Sequence, residues 1–533
     1  MKHDVILIAG LGPAHLENSD LKNSYLDQAL SMDERKSSYM IGTMDYSPDE
    51  FVYCSANNEK VQVLRKVENQ TPELIVVVLR NLLDVGNIDY EFISIDNLWK
   101  NEVIEASSRI VCLSTTFMWS EHMIDFAINW IKENIKFEYL VLGGQYSFLK
   151  REYLLNKHKC IDFLITGDAE ISLVPLLKSI LDDTRDYCSI PNLIYKENYI
   201  IKETEYVEGD INQYSTPVYE GQHSVIPYIS MKGCIYNCKF CALSYCSRKW
   251  QYRTANNIIN DWDLFVKRNE VKHIDINDST FFIPYKRVKE LLPKLVDMNI
   301  TWEANARADT PFEEDIRMLE SSGCKALFFG FESMSDVTLN NINKKTTSDL
   351  NRKINKMFSK TEIYTMMSFI IGFPGENHEE FNKTRNYLIN EHYGHFNIYV
   401  FEFEDKCMPI WEDKEKFQIE IYEDEENQDI WNHGGLNWKH NGMDSKEANR
   451  LREKLLSDIR KCQSTKAIHK SWQYAYEWPL IKERTREENI CIEKIFDQLM
   501  FLKTDYIDDI EREKMLKKLI TKLKTYGIAT KNS

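Results

Sequence analysis

The sequence predicts an α/β protein with an N-terminal doubly wound domain, a central partial barrel of six βα units and a mainly helical C-terminal region. Three observations predict it. Short β-rich runs alternate with helical stretches from Val5 to about Lys202, the rhythm of a parallel sheet with helices on its faces. The periodicity fades over 203–224, from Glu208 to Pro217 in particular, as in a linker between domains. A second βα series then runs to about residue 403, after which the composition changes.

In the first domain (1–202) the expected strands are Val5–Ala9, Tyr90–Ile95, Ile110–Ser114, Tyr139–Leu142 and Phe163–Thr166. A helix is expected from Pro72 to Val85, with Thr71 as N-cap, Pro72 at the first helical position and Gly86 past the end. Residues 10–70 fit no βα unit of ordinary length and read as an insertion covering one end of the sheet. In the second domain (225–403) the expected strands are Val225–Ser230, His273–Asp278, Thr301–Asn305, Ala326–Phe331, Tyr364–Ile371 and Asn397–Phe401. Thr310 and Glu313 have capping-box spacing, with Pro311 between them and Gly323 closing the helix. Residues 404–533 combine an acidic run at 420–426 with many aromatics and then helical patterning.

Composition narrows the class. At 533 residues the chain is too long for one ordinary domain, and 43% hydrophobic with 28% charged residues is a globular balance. No apolar run approaches the ~18 residues of a membrane span. The start lacks a secretory signal, so the expected location is the cytoplasm. Against 67 basic residues stand 83 acidic ones, and the net charge of −16 argues against broad nucleic-acid or acidic-membrane binding. Twelve cysteines in such a chain point to buried thiols, metal ligands or catalytic groups rather than to a disulfide scaffold.

Spacing separates those thiols. Just after the first strand of the second domain, Cys234, Cys238 and Cys241 stand at C-x3-C-x2-C. Three soft thiolates on one loop can hold three irons of a cubane and leave the fourth open. Structural zinc, the competing metal, wants four ligands, and Cys246 supplies a fourth at no familiar spacing.

With Phe240 before the last cysteine, this loop resembles the C-x3-C-x-aromatic-C motif of the radical S-adenosylmethionine (SAM) superfamily. The resemblance implies a partial (β/α)6 barrel, a [4Fe–4S] cluster on the three cysteines, SAM on the open iron and a 5′-deoxyadenosyl radical. It also implies roles for further residues. Asn277-Asp278-Ser279-Thr280-Phe281 is close to the D-D-x-F element of cobalamin-binding members, where Asp278, Ser279 and the nearby backbone would receive the SAM ammonium. The alternative is a plain turn, which Asp and Ser favour. Arg307 could anchor the SAM carboxylate through its guanidinium fork, or pair with Asp309. Glu332 and Ser333 resemble the G-x-E-S element, in which the acid accepts from ribose or ammonium. Gly372 and Pro374 resemble the G-x-P-G turn that lies against adenine. All of these lie at strand C-terminal ends, where an α/β barrel places its active site.

In the first domain, Ser114-Thr115-Thr116, Gly143-Gly144-Gln145 and Gly167 to Glu170 follow three strands, and their small residues leave room for a flat ligand across the sheet's carboxyl edge. No G-x-G-x-x-G follows a strand, which disfavours a dinucleotide. Beside the cysteine loop, this domain resembles the Rossmann-like cobalamin-binding domain of cobalamin-dependent radical SAM enzymes. Gln145 stands where that family often has histidine. None of the twelve histidines has Asp two positions before it, so a D-x-H-x-x-G cobalt ligand is absent.

The implied activity is C-methylation of an unactivated carbon in a small molecule or peptide, with an external flavodoxin- or ferredoxin-type one-electron reductant. Radical ring formation, rearrangement or epimerisation without methyl transfer is the alternative within the class. A non-catalytic metal- or cobalamin-binding sensor is the alternative outside it. In the last region, Trp431 to His440 reads either as a loop over the substrate, with His433 and His440 as acid/base groups, or as core packing.

Overall fold

The computed structural model describes residues 3–11, 72–118, 121–197, 200–241, 249–403, 406–422, 437–469, 483–501 and 509–530, the short stretches 39–41, 44–46, 51–54 and 60–62, and residues 243 and 481. Thr71, Cys246, Trp431 and His433 lie outside these.

The first sheet contains β1 (His3–Ala9), β2 (Tyr90–Ser94), β3 (Ala106–Ser114), β4 (Tyr139–Gly143), β5 (Phe163–Ile165), β6 (Leu193–Glu197) and β7 (Ile200–Glu203) in the order 2-1-3-4-5-6-7. The first five are parallel, while β6 and β7 return antiparallel. Both faces are buried because residues of both parities are apolar. Val5, Leu7, Ile110, Cys112 and Val141 pack on α1 (Leu74–Val85) and α3 (Ala169–Leu181). Ile6, Ile8, Val111, Leu113 and Leu140 pack on α2 (Glu121–Asn134). The strand order reverses between β1 and β3, and such a switch point opens a crevice at the carboxyl ends of the strands. Helix α1 starts two residues later than expected, with Glu73 at its N-cap and no side-chain cap.

The second sheet is β8 (Val225–Tyr228), β9 (His273–Ile276), β10 (Thr301–Ala306), β11 (Cys324–Glu332), β12 (Tyr364–Ile371), β13 (Tyr393–Val400) and β14 (Lys466–His469), all parallel and in sequence order. The six expected strands are present. The seventh, β14, comes from the C-terminal region, where four residues outside the βα rhythm carry too little pattern to be read. Ile274, Ile276, Trp302, Ala304, Leu327 and Phe329 join the large core. Alternate residues, including the buried His273, Asp275, Glu303, His395 and Asn397, turn to the other face.

The capping box expected at Thr310 does not form. Phe312 is fully buried and holds 310–315 in turns, so the helix begins only at Ile316. Glu313 pairs instead with Lys353.

The C-terminal region is built into the barrel domain rather than appended to it. The helix Arg486–Phe501 brings Glu493 to 2.7 Å from His395, Lys494 to the carbonyl of Ala467 (2.9 Å) and Arg486 to that of Phe358 (2.6 Å). Strand Phe51–Cys54, within the expected insertion, pairs with Ile528–Thr530 near the chain end. No described helix is long and apolar enough to cross a membrane.

Candidate active site

The cysteine loop is pinned at both ends by its chemistry. Met231–Lys232 pairs antiparallel with Gln251–Tyr252, closing the loop at its base. Gly233 turns the chain into it at φ +69°. Inside the loop the Cys241 N–H donates to the Cys238 carbonyl at 3.1 Å. Two outside segments hold it. The Lys239 N–H donates to the Ile342 carbonyl (2.9 Å), and the Asn343 side chain donates to the Asn237 carbonyl (2.8 Å). Lys239 also pairs with Asp413.

Cys238 is buried, while Cys234 and Cys241 are half-buried. Burial raises the Cys238 thiol, opposed by the charges of Lys344 and Arg307, and pushes Cys241 up to about 11. Cys238 feels the charge of Cys234, and Cys241 that of both Cys234 and Cys238, so the three share one electrostatic neighbourhood. Among the described residues no three ligand side chains converge on a single ion position. Three soft thiolates on one loop suit three corners of a cubane and leave its fourth iron open. Metal binding would also relieve the cost of burying thiolates. The donor set therefore fits a [4Fe–4S] cluster.

Beside Cys238 lies a compact charged array at the ends of β10 and β11. The Arg307 guanidinium lies 3.5 Å from the centre of the Tyr236 ring and grips Asp309 through Nε (3.0 Å) and Nη2 (3.1 Å). The Asp309 pairing weighed as Arg307's alternative is present, and it orients the fork next to the cluster loop. Glu332 adopts φ +60°, uncommon outside glycine, and its Oε1 receives the buried Lys344 ammonium at 2.6 Å. Gly330 makes room for this pair, because a Cβ there would lie 2.3 Å from Glu332 Oε1 and 2.8 Å from Lys344 Nζ. Lys344 carried no spacing signal; the only hint was the preceding Asn343, which takes the left-handed conformation that closes the helix Asp336–Ile342.

Two expected SAM ligands hold the fold instead. The Asp278 carboxylate is fully buried, accepting from the Ser230 N–H (2.6 Å) and hydroxyl and lying 3.9 Å from Arg287. It braces the ends of β8 and β9. Ser333, thrown back by the turn at Glu332, is fully buried against Thr384 and Ser335. Ser279 does reach the cysteine loop, donating to the Gly233 carbonyl at 2.8 Å. Phe240 is half-buried against the main core.

The turn Gly372–Glu376 packs against the C-terminal region. Gly372 (φ +80°) permits a close approach, but its neighbour is Trp438, whose ring a Cβ would meet at 2.5 Å. His440 stacks on Trp438, receives the N–H of Gly442 (3.0 Å) and Gly375 (3.4 Å) on Nδ1 and faces the Gly372 carbonyl through Nε2 (3.2 Å). Two donors on Nδ1 place the proton on Nε2. Burial lowers the imidazole to about 4, and both its nitrogens are engaged in clasping the turn. Pro374 is buried in the same turn.

Burial pushes the Glu376 carboxyl up to about 8, although its Oε2 accepts the Gly372 N–H at 2.7 Å. A carboxyl whose folded value is raised contributes stability that is full below about pH 4.5 and lost as pH rises through about 8. Glu376→Gln should therefore gain thermal stability relative to the parent from pH 6 to 9, by on the order of a few degrees. Parallel melting curves with no pH-dependent difference would contradict this.

At the carboxyl edge of the first sheet, Thr115 Oγ1 donates to the Gly143 carbonyl (2.9 Å) and receives the Ser147 N–H (3.1 Å). Ser114 Oγ lies 3.3 Å from Thr116 Oγ1. Gly144 (φ +112°) seats this knot, since a Cβ there would lie 2.7 Å from Thr116 N. Gly167 gives way to Asn192, and Gln145 is exposed. Glu170 is 2.9 Å from Lys232, at the base of the cysteine loop, and Asp168 is 3.1 Å from the same ammonium. The carboxyl edge of the first sheet is thereby joined directly to the cysteine loop. Phe117, Ile229, Ile235 and Tyr399, which follow strand ends or lie on that loop or on β13, are exposed.

The sequence pattern of the Radical SAM superfamily matches residues 228–388. An uncharacterised methyltransferase of Pyrococcus horikoshii is 25% identical over 288 residues, 51% of this chain and 62% of that one. The anaerobic magnesium-protoporphyrin IX monomethyl ester cyclase of Rubrivivax gelatinosus is 21% identical over 269 residues, 46% of this chain and 47% of that one. The match thus spans only about half to three-fifths of the length of these relatives. Among solved structures, the radical SAM methyltransferase TsrM of Kitasatospora setae, with cobalamin and a [4Fe–4S] cluster bound, superposes with a TM-score of 0.58 at 14% identity over 85% of this chain and 97% of that one. The fold likeness thus extends across both sheets, while the sequence match centres on the cysteine loop and the strands that follow it. Residues 228–388 form a domain of the radical SAM superfamily.

Proposed function

We propose that this protein is a cobalamin-dependent radical SAM enzyme that methylates an unactivated carbon of a small molecule or peptide. The observation that carries the reading is the junction of Lys232 with Asp168 and Glu170, which sets the carboxyl edge of the doubly wound sheet beside the cysteine loop. Two edges that each suit a cofactor are then close enough to serve one substrate. When bound, the cluster and SAM would supply the adenosyl radical, and cobalamin the transferable methyl group.

The chain's own residues do the rest by geometry. Cys234, Cys238 and Cys241 would hold the cluster. Arg307 would take the SAM carboxylate, and Glu332, whose Oε2 takes no hydrogen bond among the described residues, its ammonium or ribose. The knot of Ser114, Thr115, Thr116 and Gly144, with Gly143, Gln145 and Gly167, would shape the cobalamin seat. The ion pair of Glu170 with Lys232 fixes the spacing between the two. Phe117, Ile229 and Ile235 would exclude water from the intervening space.

The cyclase relative favours a second reading, radical ring formation or rearrangement without methyl transfer. The test is anaerobic purification and reconstitution, with the cobalt-to-iron ratio and the products measured. Methyl transfer yields both S-adenosylhomocysteine and 5′-deoxyadenosine. Deoxyadenosine alone would favour the second reading, and a loaded cluster without SAM cleavage, with plausible substrates supplied, would favour a sensor.

A further inference from the structure

Between the cysteine loop and the charged array runs one short segment, Ile342-Asn343-Lys344, that touches both. Its first carbonyl receives the Lys239 N–H, and its second side chain binds the Asn237 carbonyl, both within the cysteine loop. The Lys344 carbonyl receives Arg307 Nη2 at 2.6 Å, while the Lys344 ammonium holds Glu332 Oε1 at 2.6 Å. Its charge is felt at both Cys238 and Cys241.

A buried lysine–glutamate pair is a poor device for stability alone. Removing both charges from water costs about as much as their attraction returns, and apolar packing often serves as well. This pair also needs two local concessions, a glycine at 330 and a non-glycine residue at φ +60°. Such strain beside a functional loop motivates a role in the site.

We infer that Lys344 is a positioning residue for SAM: its main chain sets Arg307 and its side chain sets Glu332, spacing the carboxylate-directed and ammonium-directed groups beside Cys238. The inference rests on the reading above that Arg307 and Glu332 grip SAM. Lys344 itself need not touch SAM. It holds two groups of opposite charge at one separation, so that the two ends of an amino acid are met together.

The experiment uses the full chain, reconstituted anaerobically, as Lys344→Met, Lys344→Arg, Arg307→Met and Glu332→Gln. SAM affinity is read by equilibrium dialysis and by the change SAM causes in the electron paramagnetic resonance signal of the reduced cluster. KM for SAM and kcat for 5′-deoxyadenosine formation are read alongside. Lys344→Met should load iron like the parent yet bind SAM about ten- to a hundredfold more weakly, the range for losing a charge-assisted hydrogen bond. KM should rise more than kcat falls, the SAM-induced spectral change should shrink, and Lys344→Arg should recover most of the affinity.

Iron-loaded Lys344→Met that binds SAM within twofold of the parent overturns the inference. If Lys344→Met does not fold, Gly330→Ala serves, because its Cβ wedges the same ion pair apart. A soluble, iron-loaded Gly330→Ala protein with parental SAM affinity overturns the inference equally. If Arg307→Met and Glu332→Gln leave SAM binding unchanged, the assignment of the grips falls and the inference with it. If they weaken binding and Lys344→Met does not, only the inference falls.

Discussion

Cys238→Ala is expected to abolish cluster assembly and, with it, reductive SAM cleavage, lowering 5′-deoxyadenosine formation by at least about a thousandfold. Of the three loop thiols, Cys238 is the buried one, at 7% exposure, and it lies in reach of the charges of Lys344, Arg307 and Glu332. Its loss removes one corner of the cluster's anchorage and leaves the others without a third ligand. The fold itself should survive, because alanine removes a single sulfur and the loop remains pinned by Lys239, Asn237 and the Met231–Lys232 pairing. Iron and sulfide content, the visible absorption of the cluster and deoxyadenosine production are the readouts. Cys324→Ala is the control: that thiol is buried in the main core, and its variant should load iron as the parent does. Deoxyadenosine production retained in Cys238→Ala would sink the assignment of the cluster ligands.

Gly144→Ala should separate the two cofactors. The residue has φ +112°, and an added Cβ would press on Thr116 N at 2.7 Å and Thr116 Oγ1 at 2.8 Å. Neither contact can move cheaply, since one is backbone and the other belongs to the hydroxyl knot of Ser114, Thr115 and Thr116. Backbone strain of ~1–3 kcal/mol, placed at the seat, corresponds to about fivefold to 150-fold weaker cobalamin binding. Cobalt content and S-adenosylhomocysteine from the substrate reaction should fall together, while iron content and deoxyadenosine formation remain. Gly143→Ala is the informative neighbour. Its Cβ would meet only Ile165, at 3.6 Å, so the fold admits it and any loss of cobalt there reports a ligand's own need for space. Parental cobalt content in Gly144→Ala would argue that the edge of the first sheet does not seat the corrin.

Much of the architecture was legible because its signals are local. The six strands of the barrel domain and the five parallel strands of the first sheet announce themselves through runs of apolar residues between turn formers. The helix starts were less legible. Thr310 and Glu313 have the right spacing for a capping box, yet the burial of Phe312 gains more than a cap provides and the turn is drawn inward. Lys466–His469, four residues long, has no periodicity to show; it becomes a strand only where Tyr393–Phe396 stands beside it.

The site divides in the same way. Cysteine spacing, the glycines at strand ends and the presence of Arg307 and Glu332 were determined by sequence alone, because each is a short-range pattern with one chemistry behind it. Which groups those residues face was decided only by the tertiary structure. Asp278 was expected at a ligand and is consumed by Ser230, 48 residues away in the chain. His440 was weighed as an acid/base group and clasps a turn 68 residues before it. Lys344 had no expected role and joins Arg307 to Glu332. Glu170 was expected at cobalamin and is paired with Lys232, 62 residues on. The physical reason is common to all four. A polar group drawn wholly or partly out of water must find a partner, and which partner comes within hydrogen-bond reach depends on how distant segments pack, which neither spacing nor composition encodes.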